Sequence, residues 1–428
     1  MVSFSKLKEL SFLIYGLGLT GQSVVKFFKK NNIKNFKVWD DKQKKLFKDK
    51  RTKNLSNTLN KVDYIVLSPG ISLNDIKNKD LLFKFRKKII TDIDLFYLTN
   101  KNFKSIVVTG TNGKSTTCKL ISHLLKKNKF EVLLGGNIGT PILNLNIKKN
   151  VYIIIEASSF QLSHSKFICP DYAFLLNITN DHLDWHGSMK NYTKSKFKIF
   201  NLQKKNQFAI INNKLKRNFK KNFFLSKLIV PNVKSYKKIK HKIKNIYLTS
   251  SLNDENMNYV YVFSKLLKIN DKTFTNAMKS FVGLPHRCEF FLKKKNIVFI
   301  NDSKATSFEA TKLALKSRKN IYWILGGLPK KNDKIILKEI KNNIVKCYLI
   351  GKNINFFKNQ IKNKINFMVS KNLKKSIIEI LKEIRLQNKK DNTILLSPAA
   401  ASYDQFVNFE KRGNEFKKLS KFYARKYI

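Results

Sequence analysis

A chain of 428 residues is too long for one hydrophobic core and implies two to four domains, which its 43% hydrophobic content can fill. It has no apolar run of the roughly 18 residues that a membrane span needs, and Met1 to Leu10 has no apolar signal core, so a cytoplasmic protein without membrane insertion is expected. The net charge of +58 suggests nucleic acid, but the lysines are spread along the whole chain beside Asn, Ile and Phe, as AT-rich codons would produce, and no nucleic-acid motif accompanies them. A solvated basic surface that attracts anionic substrates is therefore expected, with no nucleic-acid partner.

In chain order, an apolar strand over Leu10 to Tyr15 runs into Gly16-Leu17-Gly18-Leu19-Thr20-Gly21 and a helical pattern through Val24, Val25, Phe27 and Phe28. A second strand, Phe36 to Trp39, ends in Asp40 and Asp41. This fits a Rossmann-like unit whose glycines bring a phosphate to a helix N-terminus, although the motif alone does not say which nucleotide. The strand Asp63 to Leu67 then delivers the turn Ser68-Pro69-Gly70, and the first unit is expected to end near Asp92.

The second unit opens with the apolar run Ser105 to Val108, followed by Thr109-Gly110-Thr111-Asn112-Gly113-Lys114-Ser115-Thr116 and a helical pattern through Leu120, Ile121, Leu124 and Leu125. A glycine loop between strand and helix offers backbone N–H groups at a positive helix end. Lys114 can reach terminal phosphates and the Ser115 hydroxyl can ligate Mg²⁺, so a nucleoside triphosphate site is expected. The loop departs from the usual G-x-x-x-x-G-K-[ST] pattern by carrying Val108 at the first glycine position. Gly135-Gly136-Asn137-Ile138-Gly139 forms a further loop. The strand Val151 to Ile155 ends in Glu156, a carboxylate placed to hold the nucleotide's Mg²⁺.

Strand Tyr172 to Leu176 leads to His182 and His186, whose i, i+4 spacing allows a metal pair if helical and ordinary packing or capping otherwise. Tyr192 to Phe200 reads as an amphipathic helix. From Gln203 to Ser251 the chain is Lys- and Asn-rich with one strand candidate, Phe208 to Asn212, and no evident chemistry. A helix is expected over Asn256 to Met278, and Gly283-Leu284-Pro285 marks a hinge. Beyond it, strands at Ile297 to Ile300, Ile321 to Leu325, Val345 to Ile350 and Thr393 to Leu396 alternate with helical patterns, which implies a third, parallel sheet. The four cysteines are far apart and read as reduced, buried thiols.

These motifs name a family. TGTNGKST, GGNIG, EASSFQL, NITNDHLDWHG, GLPHR, NDSKAT and SPAAASYDQFVNFEKRGNEF resemble those of the muramyl ligases, and GLGLTG with the SPG turn resembles the D-glutamate-adding branch. The resemblance implies an α/β fold of three domains: a Rossmann-like UDP-substrate domain (1–92), a central P-loop-type ATPase with a mostly parallel sheet (93–283) and a Rossmann-like D-glutamate domain (284–428). It implies a monomeric ATP-dependent ligase that activates UDP-N-acetylmuramoyl-L-alanine as an acyl phosphate and couples it to D-glutamate.

By motif position, the resemblance implies that Gly110 to Thr116 bind the ATP phosphates and that Ser115 and Glu156 hold one Mg²⁺. His182 belongs to a second, with Lys196 at the family's carbamylated position. Asn256, Arg287, Asp302 and Lys304 contact ATP. Leu19, Thr20, Asp40, Ser68, Pro69, Gly70 and Asn137 hold the UDP substrate, and Thr306, Lys330, Ser402, Tyr403 and Phe409 receive D-glutamate. The chain departs from the family in carrying Glu255 before Asn256 where His is common. It has two lysines, Lys330 and Lys331, after the Gly326-Gly327 loop, either of which could meet glutamate, and Ala-Ala-Ala in the last motif where Ala-Cys-Ala is common.

Overall fold

In a computed structural model, residues 4–73, 77–100, 102–249, 253–330, 333–387 and 391–428 are described. Sixteen strands among them form three sheets. The first contains β1 (Phe12–Tyr15), β2 (Phe36–Trp39), β3 (Tyr64–Leu67) and β4 (Ile89–Ile90) in the order β2-β1-β3-β4, all parallel. The second contains β5 (Lys104–Thr109), β6 (Val132–Gly136), β7 (Tyr152–Glu156), β8 (Tyr172–Leu175), β9 (Phe208–Ile211) and β10 (Lys227–Ile229). Its order is β10-β9-β8-β5-β7-β6, and it too is parallel throughout.

The third sheet holds β11 (Glu289–Lys294), β12 (Ile297–Asn301), β13 (Ile321–Gly326), β14 (Ile344–Ile350), β15 (Phe367–Lys371) and β16 (Asn392–Leu396). Its order is β11-β12-β16-β13-β14-β15, parallel except for the antiparallel edge pair β11 and β12. Parallel strands need crossover connections and are covered on both faces, which is why they read as continuous apolar runs such as Ile106-Val107-Val108 and Ile153-Ile154-Ile155, all fully buried.

The chain divides into two compact units. Met1–Asn245 with Glu255–Phe281 carries the first two sheets, and Ile246–Asp254 with Val282–Ile428 carries the third. In the first unit the two sheets share one core cluster running from Leu7 and Phe12 to Ile155 and Phe219. Thr91 and Asp94 tie the segment between them. Asp94 is fully buried, and its carboxylate accepts from the backbone N–H groups of Thr91, Lys166 and Phe167 at 2.9, 2.8 and 2.7 Å.

Several elements differ from the sequence expectation. The helix expected over Asn256 to Met278 is two helices, Asp254–Leu266 and Asp271–Lys279, separated where Lys268 takes a left-handed φ of 58° and Asn270 caps the second. The Lys-rich stretch contains β10 and the helices Lys216–Lys221 and Val233–Lys240. All four cysteines are free, but Cys169 and Cys288 are only partly buried. No described helix is long and apolar enough to cross a membrane.

Candidate active site

The register of the central sheet gathers the chemistry at its carboxyl edge. Val108 of β5 lies beside Glu156 of β7, Gly136 of β6 lies on the other side of Glu156, and Thr109 pairs with Leu175 of β8. Each strand therefore ends at the same level, with the glycine loop in the middle. Val108 itself is buried within β5, which runs on to Thr109, so the loop begins at Gly110, two residues later than the usual pattern would start it.

Gly113 is the N-cap of helix Lys114–Lys127, with φ +83° and no side-chain capping bond. The positive end of the helix thus carries no side-chain cap, the arrangement that receives a phosphate. A Cβ on Gly113 would come 2.3 Å from the Asn256 amide oxygen, so both backbone conformation and space require glycine. That Asn256 oxygen accepts from the Thr117 hydroxyl at 3.3 Å. The loop is held from outside by Asn177, whose side-chain oxygen accepts from the Asn112 N–H at 2.8 Å and whose backbone oxygen accepts from the Thr111 N–H at 2.9 Å. The Asn177 amide donates to Glu255 at 3.3 Å, and Asn212 donates to the other oxygen of Glu255 at 2.9 Å.

Two lysines converge on one carbonyl. Lys114 Nζ donates to Gly110 O at 2.9 Å and Thr111 O at 2.8 Å, and Lys196 Nζ donates to the same Gly110 O at 2.8 Å while lying 4.7 Å over the Tyr192 ring. Lys196 is 1% exposed. Burial, reinforced by the Lys114 charge and opposed by Asp181, drives its amine well below the ordinary lysine range. Glu156 is also buried. Its Oε1 accepts from the Asn137 amide at 3.0 Å, and its Oε2 has no hydrogen-bond partner. Thr111 Oγ1 and Tyr192 OH are 3.0 Å apart, and the Tyr192 ring centroid lies 6.3 Å from that of His182.

His182 and His186 do not present a shared ligand face. His182 is a left-handed N-cap with Nε2 3.4 Å from Asp181, while His186 is buried with its Nε2 2.9 Å from the Ser159 hydroxyl. Of the two readings of this pair, packing describes His186. Among the described residues no three His, Cys, Asp or Glu side chains gather as a metal cluster.

In the first sheet, Gly16 has φ +93°, and a Cβ on Gly21 would sit 1.9 Å from the Gly16 carbonyl oxygen, so the helix packs directly on the loop. Gly18 has open space and caps helix Leu19–Lys30 without a side-chain bond. Ser68 Oγ donates to Gly16 O at 2.8 Å, tying the Ser68-Pro69-Gly70 turn to this loop. Asp40 accepts from the N–H groups of Leu17, Lys42 and Gln43 at 2.6, 2.8 and 2.8 Å. Burial works against its charge, but those N–H groups and the Arg51 charge hold it below the usual aspartate range. Asp40, Lys42, Gly70, Ser72, Asp184 and Trp185 line a cleft of about 540 Å³.

The second unit builds its own cluster at strand ends. Asp302 follows β12, accepting from Ser397 Oγ at 2.7 Å and the Cys288 N–H at 3.1 Å. Burial pushes its carboxyl up to about 6, against these hydrogen bonds and the Arg287 charge. Lys304 Nζ lies 4.6 Å over the Phe409 ring. Reciprocal bonds between Leu328 and Ala401, at 2.8 and 2.9 Å, clamp the Gly326-Gly327 loop that precedes Lys330 onto the loop that carries Ser402. Buried Arg412 donates to Ser303 Oγ, Ser303 O and Ala400 O at 3.0, 2.8 and 2.9 Å.

The chain that carries this edge of glycine loop, lysine pair and buried carboxylate is similar to known proteins over nearly its whole length. A model of the Mur ligase middle domain matches residues 108–279, and one of the MurD-like N-terminal domain matches residues 11–82. The UDP-N-acetylmuramoylalanine–D-glutamate ligase of Rickettsia prowazekii is 37% identical over 97% of this chain and 98% of its own length. The protein of the same name from Buchnera aphidicola of Schizaphis graminum is 39% identical over 96% and 97%. The chain belongs to the Mur ligase family. Among solved structures, MurF ligase from Thermotoga maritima in complex with ADP matches 100% of this chain and 98% of its own at a TM-score of 0.57 and 15% identity, which shows the shared fold.

In this Mur ligase, then, Gly110 to Thr116, Asn137, Glu156, Lys196 and Asn256 meet at one sheet edge, and Asp40 and Gly70 meet in one cleft. Leu19 and Tyr403 stand out as exposed, at 83% and 72%. Lys331 lies outside the described residues. Sequence reasoning missed Asn177, Tyr192, Trp185 and Arg412. Only Arg412 left a signal, because it sits on the apolar face of helix Phe409–Tyr427 between Phe409 and Phe416, where a charge has to be bonded to be tolerated.

Proposed function

We propose that this Mur ligase joins D-glutamate to UDP-N-acetylmuramoyl-L-alanine and cleaves ATP to ADP and phosphate, as a cytoplasmic monomer. The substrates are supported by the name of relatives matched over nearly their whole length, and ATP by the glycine loop that leads into a helix N-terminus without a side-chain cap at Gly113 and by the ADP in the Thermotoga maritima structure. The observation that carries the chemistry is Glu156, whose buried Oε2 has no partner at the edge where the glycine loop and Lys114 lie.

A carboxylate is a poor electrophile, so the alanyl carboxylate oxygen first takes the γ-phosphoryl group from ATP, and ADP leaves. The D-glutamate amine then adds to the acyl carbon and gives up a proton. The C–N bond remains, and the C–O bond to phosphate breaks. Lys114 balances charge on the transferring phosphoryl group, and the helix N-terminus orients it. An orphaned buried carboxylate oxygen fits a hard cation, so Glu156 and the Ser115 hydroxyl would hold one Mg²⁺ and His182 would belong to a second. Bound Mg²⁺ supplies further positive charge at the phosphates.

Lys196, buried with its amine pushed below the ordinary lysine range, is suited to add to CO₂ as the free amine, forming an N–C bond and releasing one proton, which would turn a cation into a carboxylate. Asn256, Arg287, Asp302 and Lys304 are assigned to ATP. Leu19, Thr20, Asp40, Ser68, Pro69, Gly70 and Asn137 are assigned to the UDP substrate, and Thr306, Lys330, Ser402, Tyr403 and Phe409 to D-glutamate. The test is phosphate release from ATP with UDP-N-acetylmuramoyl-L-alanine and each amino acid in turn. Release that depends on D-glutamate is expected, and release indifferent to it would remove the proposal.

A further inference from the structure

Between Trp185 and Asn253 the sequence contains no aspartate or glutamate, and four of its basic residues share one short helix. Lys216, Arg217, Lys220 and Lys221 of helix Lys216–Lys221, with Asn213 and Phe223, line an open groove of about 620 Å³. The turn that follows is built to hold apolar side chains in water. Phe223 takes φ +53° and is 88% exposed, and Leu225 is 63% exposed. Between them Phe224 points inward, its ring centroid 5.0 Å from that of Phe219 and 5.5 Å from that of Phe200. Phe219 and Phe224 thus anchor the turn, so Phe223 and Leu225 need no ordering before they meet a partner.

Two fixed apolar tips beside four cations match a phospholipid interface, where cations meet anionic headgroups and apolar side chains enter the headgroup–acyl boundary. A nucleic acid would use the cations and could stack on Phe223, but Leu225 has no π face to offer it. We propose that helix Lys216–Lys221 and the turn through Leu225 form an interfacial docking site for bilayers containing anionic phospholipid. The protein lies on such a surface without crossing it. Charge across the whole chain attracts any polyanion, so the specific claim concerns the apolar tip and the place of these lysines.

The test is sedimentation of the full chain with vesicles of phosphatidylcholine, with and without phosphatidylglycerol, at roughly 150 mM salt. Binding to the phosphatidylglycerol vesicles alone is expected. F223S/L225S, which keeps every charge, should weaken it by about tenfold or more. K220E/K221E should weaken it strongly, whereas K418E/K421E, which removes the same charge from exposed positions on helix Phe409–Tyr427, should weaken it little. Ligase turnover in solution should be unchanged in all three, and if F223S/L225S fails to fold, the two lysine pairs carry the comparison. Binding that survives F223S/L225S, falls equally in both lysine pairs, or is displaced by duplex DNA equally from wild type and F223S/L225S overturns the proposal.

Discussion

Gly113→Ala tests whether the glycine loop works through its backbone. The substitution has two separable costs. Holding alanine at φ +83° costs about 1 kcal/mol as left-handed strain. The new Cβ, 2.3 Å from the Asn256 amide oxygen, forces that side chain away and removes its bond from Thr117, about 1 kcal/mol more. The sum of roughly 2 kcal/mol corresponds to about 30-fold in an equilibrium constant. Urea denaturation reads the stability change, and ATP titration reads the change at the helix N-terminus. Because one part of the cost is contact with Asn256 and the other is backbone strain, a double-mutant cycle with Asn256→Ala separates them. In that background Gly113→Ala should cost about 1 kcal/mol less. If Gly113→Ala leaves both stability and ATP affinity within twofold of wild type, the loop does not depend on its left-handed glycine and the reasoning fails.

Lys114→Ala should lower turnover by at least ~100-fold, as expected when a charge facing the transferring phosphoryl group is removed; near-normal steady-state turnover would refute that role. Lys196→Ala should lose turnover and recover part of it when short carboxylates are added, because they can replace a carbamate, and the absence of any recovery would speak against the modification. His164 is held neutral, its pKa pushed down to about 4 from 6.5 chiefly by burial and further by Lys198. The unfolded chain therefore takes up a proton between pH 6.5 and 4 that the folded chain refuses, so this group's contribution to stability is lost as pH falls through that window. Asp92 and Asp302, raised to about 6 by burial, act in the opposite sense, gaining stability as pH falls from about 6 toward 3.8. Against that shared background, His164→Phe, which keeps an aromatic ring beside Trp185, should lose about 2 kcal/mol less than wild type between pH 7 and 4.5 in urea melts. Parallel acid limbs for the two proteins would contradict the assignment.

Much of this architecture was legible because parallel strands buried on both faces are written as unbroken apolar runs that stop at glycine or polar residues. β5, β7 and β8 carry that signature, and with it the position of Glu156 and the glycine loop. Elements that lack it were not legible. β10 is a three-residue edge strand, and β11 is an antiparallel edge strand with no buried residue, a register shift after Phe290 and two lysines. The long helix expected after Asn256 breaks at Lys268, since apolar periodicity continues through a turn that only backbone geometry reveals. At the site, Lys196 looks like any lysine of a basic helix. What singles it out is burial against a carbonyl 86 residues earlier in the chain, a tertiary fact. Glu255, where the resemblance led one to expect histidine, holds Asn177 with its carboxylate, and Asn177 in turn holds the Asn112 N–H, so this residue bears on the loop.

The most direct measurement follows oxygen. UDP-N-acetylmuramoyl-L-alanine labelled with ¹⁸O in its alanyl carboxylate should, with ATP and D-glutamate, yield the ligated product together with phosphate carrying one ¹⁸O, because the C–O bond broken in the second step is the one formed to phosphorus in the first. Unlabelled phosphate, released by attack of water on ATP, would contradict the account.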